Sequence, residues 1–355
     1  MIKQTYRLAL ASPAFLGGAD QRGTWRTPPI KALLREWWRI AIAPELAYDY
    51  RRMKQHENRL FGTAADEAGG ENHRSQIRLA LEHWHEGSCT TWPGGEQRIN
   101  HPEVQDRHTG RPRLVGSELY LGYGPLIFQQ GTKLKNNAAL QEKETNLLRL
   151  ALPEAELPVL QRALTFAHWF GTVGGRSRNG WGSLLWTAAE GTPALPALSR
   201  DALKSTGSTR ELRQCLDLDW PHAIGSDSHG VLVWRGRESF GDWHAAMKFL
   251  AQTKIDFRTH LGFNTGRNSP SVEARHVLAY PVTNHKVPAW EGNGKGRLAN
   301  TLRFKLHREP DNRLRAVIYH TPCRPTLPYG NLDLLDTWQR VHRFLDAQPT
   351  LARLA

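Results

Sequence analysis

From Gln4 to Leu10 the residues Tyr6, Leu8 and Leu10 fall on one face, the period of two that marks a half-buried strand, and Pro13 with Gly17-Gly18 then break it. A helix follows. Thr27 is read as its N-cap with Pro28 at the first helical position, and Ile30, Leu33, Leu34, Trp37 and Ala41 recur at helical spacing as its buried stripe. Residues 75–85 alternate again, with Ile77, Leu79, Leu81, His83 and His85 on one face, and residues 113–128 give strand-like material interrupted by glycines. A second helix is predicted over residues 155–170, with Leu157, Leu160, Leu164 and Ala167 inward and Gly171 at its end. A glycine-rich segment, residues 171–182, then leads into an apolar strand at 183–186.

The order strand, helix, strand, strand, helix, strand is that of a ferredoxin-like domain. It recurs more loosely after the Pro-rich stretch 191–198: a strand at 231–235, and a helix from Ser239 with Trp243, Met247 and Leu250 inward. Strands at 276–282, 302–306 and 313–320 follow, then a helix with Leu335, Trp338, Val341 and Leu345. The fold class expected is α+β, as tandem ferredoxin-like (RRM-like, βαββαβ) domains over residues 1–190 and 191–355, and a chain of 355 residues is long enough for two such units.

Charge narrows the partners. Lys and Arg number 47 against 34 Asp and Glu, a formal charge of +13 with a basic excess in both halves, which favours a polyanion and above all nucleic acid. No apolar run reaches bilayer length and the N-terminal residues alternate instead of forming a signal-peptide block, so a soluble, cytoplasmic protein without membrane contact is expected. Three cysteines without a C-x-x-C argue against a disulfide framework or a cysteine-rich zinc site.

On the first helix Lys31, Arg35 and Arg39 stack at i, i+4 and i+8, with Trp38 beside them and only Glu36 near enough within the helix to offset one. Such a face is either simply solvated or a track for phosphates, and the preceding Arg22, Trp25 and Arg26 favour RNA. In the glycine-rich segment Gly174 and Gly175 let backbone approach a ligand, successive N–H groups there could cradle phosphate, and Arg176 and Arg178 present cations. It is not a P-loop or a dinucleotide fingerprint, so ATP and NAD are poor guesses, and a mobile connection is the plainer alternative. Lys295 and Arg297 form a second basic glycine cluster ahead of a strand on which Arg303 and Lys305 share a face. Thirteen Trp is a high count. Trp25, Trp38 and Trp181 adjoin basic or glycine-rich stretches where an exposed ring would stack on an unpaired base. His83 and His85, with His101 or His108, are read as structural or surface groups and not zinc ligands, and Asp20 as structural. No cofactor, metal or catalytic residue is expected.

The run Ser12-Pro13-Ala14-Phe15-Leu16-Gly17-Gly18-Ala19-Asp20 and the helix Lys31-Ala32-Leu33-Leu34-Arg35-Glu36-Trp37-Trp38-Arg39 resemble the opening of the first subunit of Cmr-type (type III-B) CRISPR effectors, in the RAMP superfamily. Arg59-Leu60-Phe61-Gly62 and Gly174-Gly175-Arg176-Ser177-Arg178-Asn179-Gly180-Trp181-Gly182 are similar to further family motifs, and the likeness thins beyond residue 190. Ala32 and Ser12 stand where the family has glycine and threonine. The resemblance implies a non-catalytic subunit near the 3′ end of the guide RNA (crRNA), partnered by target single-stranded RNA and other Cmr/RAMP subunits in antiviral defence. RNA-binding residues are expected at Arg22, Arg26, Lys31, Arg35, Trp38, Arg39, Gly174, Gly175, Arg176, Arg178, Trp181, Lys295 and Arg297. The alternative is a metal-independent guide-processing RAMP endoribonuclease, for which 16 His leave many acid–base candidates. A purely architectural subunit is the third reading.

Overall fold

The computed structural model describes residues 1–18, 20, 22–63, 72–106, 109–135, 138–266, 268–283, 285–292 and 296–354. Strand β1 (Ile2–Leu10) buries Gln4, Tyr6, Leu8 and Leu10, because a pleated strand sends alternate side chains to one face. Helix α1 (Thr27–Ile42) opens on Pro28 and Pro29, whose fixed φ suits a first turn; Arg26, not Thr27, holds the cap position, without a side-chain cap bond. The expected stripe is buried, and so are Trp38, Ile40 and Ile42. The second buried side exists because α2 (Tyr50–Phe61) packs over it, bringing Phe61 and His56 to 5.5 and 5.4 Å from the Trp38 ring. Nothing in the apolar periodicity announces α2, since Met53, Leu60 and Phe61 are its few buried apolar residues. Asp49 starts it by accepting from the N–H groups of Arg51 and Arg52 at 2.8 and 3.1 Å.

Strand β2 (Arg78–Leu81) is shorter than the alternation over 75–85 predicts. A hairpin of β3 (Arg98–Gln105) and β4 (Pro112–Gly116), a short helix α3 (Ser117–Gly122), and a second hairpin of β5 (Leu126–Phe128) and β6 (Thr132–Leu134) follow. Strand β7 (Thr145–Leu152), helix α4 (Leu157–Phe170) and strand β8 (Leu184–Ala188) close the first unit. Its sheet runs β2-β7-β1-β8, antiparallel throughout. Gly171 ends α4 at φ −70°, not in a left-handed cap; glycine is needed because a Cβ there would lie 2.2 Å from the Ala167 carbonyl oxygen.

Helices α5 (Arg200–Ser205) and α6 (Leu212–Cys215) accompany a small sheet of β9 (Thr209–Glu211), β10 (Ile224–Asp227) and β11 (Gly230–Val231). Then come β12 (Val233–Gly236), α7 (Trp243–His260), α8 (Ala274–Leu278), β13 (Leu302–Arg308), β14 (Leu314–His320), α9 (Leu334–Asp346) and β15 (Leu351–Arg353). The strand expected at 276–282 is mostly α8: the Glu273 N–H donates to His276 Nδ1 at 2.9 Å and starts a helical turn, leaving Tyr280 and Val282 only isolated bridges. The sheet runs β13-β14-β12-β15, again antiparallel. In both sheets, therefore, the spatial order is second, third, first, fourth along the strand–helix–strand–strand–helix–strand path. The chain is α+β, with an architecture consistent with the ferredoxin-like arrangement.

The two sheets share their interior. Val317 and Tyr319 of β14 belong to the apolar cluster built on β1, α1 and α4, and Tyr319 donates its hydroxyl to the Phe170 carbonyl at 3.0 Å with its ring 4.6 Å from Phe170. Ala11, Cys89 and Trp181 in turn pack with α7 and β13. Among the described residues no helix is long and apolar enough to cross a membrane.

Candidate nucleic-acid interface

The glycine-rich segment 171–182 is spliced between the loop that follows β1 and the second sheet. The Gly175 N–H donates to Phe15 O at 2.8 Å and the Gly182 N–H to Pro13 O at 2.9 Å, while Phe304 of β13 donates to Arg178 O at 3.1 Å. Inside the segment the N–H groups of Val173, Asn179 and Gly180 are also taken. The expected phosphate cradle of free N–H groups is therefore absent at these positions, and so is the mobile connection. What the segment offers instead is a rigid mount for its cations. Gly174 (φ +91°) and Gly182 (φ +63°) are fixed by close approach: a Cβ would meet Phe15 O at 2.6 Å and Val173 O at 2.0 Å. Arg176 takes φ +57°, and its Nε donates to Tyr123 O at 2.6 Å. Among the described residues it has no acidic partner; burial and then Arg297 lower its pKa. Arg178 is likewise lowered by burial and Arg303, against which Glu36 acts.

Two of the three stacked cations of α1, Arg35 and Arg39, are not left to an external anion. Glu57 of α2, buried to 2% exposure, takes both Nε and Nη2 of Arg39, the latter at 2.8 Å; Arg35 Nε and Lys54 Nζ stand 4.0 and 3.6 Å away. Arg39 is held in an internal ion pair with Glu57. Glu36, the acid expected to offset Arg39, instead bonds Arg303 at 2.6 Å. Burial raises its pKa, but Arg303, Arg178 and Arg39 outweigh that and keep it low. Arg35 also lies 5.3 Å from the Phe61 ring centre. Lys31 has no ion pair among the described residues, and burial, then Arg35, lower its pKa.

The tryptophans expected to stack on bases are interior. Trp25, Trp38 and Trp181 are each 0% exposed; Trp181 packs against Phe15, Trp92 and Trp243 at 5.2, 5.6 and 5.7 Å. A ring beside arginines in sequence is still the largest apolar surface available to a core, and here the core took it. Arg22 is exposed but bonds Glu86 at 2.8 Å and lies 3.6 Å from Asp20, and Arg26 donates to Gly17 O. Lys295 and His108 lie outside the described residues; Arg297 is exposed. Arg303 and Lys305 are buried, contrary to a phosphate-facing strand: the Lys305 ammonium donates to Gly171 O at 2.6 Å and to Leu184 O. His83 and His85 stack at 4.1 Å, and among the described residues no group of three or more His, Cys, Asp and Glu is placed to hold a metal ion.

Several residues escaped the sequence reading. Lys254 of α7 donates to Asn179 Oδ1 at 2.7 Å beneath the glycine-rich segment, and burial, then Arg258 and Arg176, bring its pKa down to about 7. Lys254 and Arg258 stand four apart on a helix that also carries Lys248, Gln252 and Asp256, so nothing in the sequence singled them out. The buried Glu118 carboxylate takes Trp92 Nε1 at 2.7 Å and His244 Nδ1 at 2.5 Å. Burial lowers the His244 pKa, yet Glu118 more than offsets this and raises it. Tyr123, 65% exposed beside Arg176, had no local marker at all.

Among curated proteins, none matches the chain in sequence. The chain is similar in fold to the crystal structure of Cmr1 from Pyrococcus furiosus in its apo form, with a TM-score of 0.50 and 13% identity over 99% of this chain and 98% of that one. A chain of the cryo-EM structure of the type III-B Cmr-beta bound to cognate target RNA gives a TM-score of 0.47 and 12% identity, covering 96% of this chain and 100% of that chain. The RAMP superfamily model matches residues 7–184, which run from the end of β1 through the glycine-rich segment and make up half of the chain, and the protein belongs to the RAMP superfamily.

Proposed function

We propose that the protein is a non-catalytic, RNA-binding subunit of a type III-B Cmr-type CRISPR effector, a cytoplasmic ribonucleoprotein of antiviral defence. It would lie near the guide RNA 3′ end and contribute to target capture alongside other RAMP subunits. We read the two sheets as tandem ferredoxin-like units, residues 1–190 and 191–355, that share one interior. The observation that carries the reading is the set of cations left over once internal pairs are made: Arg176, Arg178, Arg297 and Lys31, two of them on a backbone-locked segment. Neither Arg176 nor Lys31 has an ion pair among the described residues, in a chain of net charge +13. Phosphates supply the missing countercharge without reading sequence, so recognition is expected to be sequence-tolerant.

The test is RNA affinity as a function of salt for the full chain and a Lys31→Glu/Arg178→Glu double variant. Each lost phosphate contact should flatten the logarithmic salt slope by about 0.7 on single strands. A folded double variant with unchanged affinity and slope rejects this surface. The rival reading, a metal-independent endoribonuclease, draws on His244, which Glu118 orients through Nδ1. That arrangement supplies one acid–base group where such cleavage needs two. Metal-free cleavage of a repeat RNA hairpin that is lost in His244→Ala would favour it.

A further inference from the structure

With Trp25, Trp38 and Trp181 buried, base stacking needs another exposed ring. Among the described residues six large apolar side chains are exposed, and four of them, Trp84, Leu114, Tyr123 and Phe128, sit on the segment inserted between β2 and β7. Tyr123 is the most exposed of the six and adjoins a cavity of about 290 Å³ lined by Phe15, Leu16, Gly17, Pro125, Leu134 and Gly175, with Gly124 and Lys135 also on its wall. That volume is at the small end of ligand pockets, room for one planar base. The wall is built to stay open: Gly175 is bonded to Phe15 O, and a Cβ on it would stand 3.2 Å from Pro125 Cγ and 3.5 Å from Phe15 Cβ. Cations frame the opening. Arg176 is tied by Nε to Tyr123 O, leaving its Nη groups available, and Arg297 is close enough to repel it. Lys135 is exposed without an ion pair among the described residues.

We propose that this is a nucleotide site for single-stranded RNA: the cavity takes one unpaired base against Phe15 and Pro125, Tyr123 stacks on the neighbouring base, and Arg176 and Lys135 hold the phosphates between them. The proposal rests on the RNA-binding reading above and specifies where a base, as opposed to the backbone, is held. Stacking on an aromatic face is tolerant of base identity, and its contribution does not depend on counterion release. Tyr123 and Arg176 therefore have different signatures in the same titration.

Full-length protein is titrated against a fluorescein-labelled single-stranded RNA by anisotropy over a range of salt, with Tyr123→Ala, Tyr123→Phe and Arg176→Gln in parallel. Tyr123→Ala should weaken binding about tenfold with the salt slope unchanged, Tyr123→Phe should bind like the parent, and Arg176→Gln should flatten the slope by about 0.7. RNA carrying 4-thiouridine should crosslink to the peptides holding Phe15 or Tyr123. A parent protein that binds RNA while Tyr123→Ala binds equally well, or a Tyr123→Ala loss that comes with a flatter slope, overturns the site and leaves the general RNA-binding reading standing. A parent protein that binds no RNA overturns both.

Discussion

Glu57 decides what two of the three stacked cations on α1 are for. Its buried carboxylate holds Arg39 through two bonds, and Arg39→Ala leaves it only Arg35 and Lys54 at 4.0 and 3.6 Å, so the change should lower stability by about 1–3 kcal/mol, whereas Lys31→Ala should stay within about 0.5 kcal/mol. Urea unfolding of the two variants checks the ranking, and equal losses would sink it. RNA affinity should rank them the other way. Buried histidines make a second residue-level prediction. Burial brings His168 and His222 to about 4, and His307 and His342 to about 3, against an ordinary value of 6.5. The unfolded chain therefore binds more protons between pH 6.5 and pH 4, so stability is fully present above 6.5 and lost as pH falls below it. Each histidine contributes up to about 1.4 kcal/mol per pH unit in that window. Denaturant midpoints constant from pH 7.5 to 5 would contradict the buried, neutral assignment.

Between elements, the glycine-rich segment shows how a loop becomes a fixed part. Its close approaches to Phe15 and Val173 require glycine, and Gly182→Ala should cost about 1–3 kcal/mol in backbone strain, with the clash against Val173 O added to it. Thermal unfolding would show a clear drop in Tm, and an unchanged Tm would mean the segment is looser than described. The segment was legible as a motif. Its backbone chemistry was not legible, because the partners Pro13, Phe15 and Phe304 are more than a hundred residues away in sequence. Helix α2 was missed for a different reason. A helix with Met53, Leu60 and Phe61 as its buried apolar residues leaves no stripe to detect, and its fold value lies in one buried acid, Glu57.

Across both sheets the interior is continuous, with Val317 and Tyr319 in the core of β1, α1 and α4, and Lys305 bonded to Gly171 and Leu184. Unfolding should accordingly be one cooperative transition, with tryptophan fluorescence and far-ultraviolet circular dichroism superimposing. Residues 1–190 expressed alone should expose the apolar surface that β14 covers and lose that cooperativity. Two separate transitions in the full chain would instead make the halves independent units.

The sequence by itself determined the α+β alternation, the strands β1, β12, β13 and β14, the buried stripes of α1, α4, α7 and α9, and the net positive charge. Each of these is written in spacings of two, three or four residues, or in a simple count. Only the tertiary structure decided which cations face solvent and which rings are buried. Arg303 finds Glu36, Arg39 finds Glu57 and Trp181 finds Trp92 and Trp243 across long stretches of chain. Arginine, lysine and tryptophan all combine an apolar body with a polar group, so their local context is compatible with either a core or a surface. The choice is made by the element that packs against them, and that depends on approach in space, to which neighbours in sequence are blind.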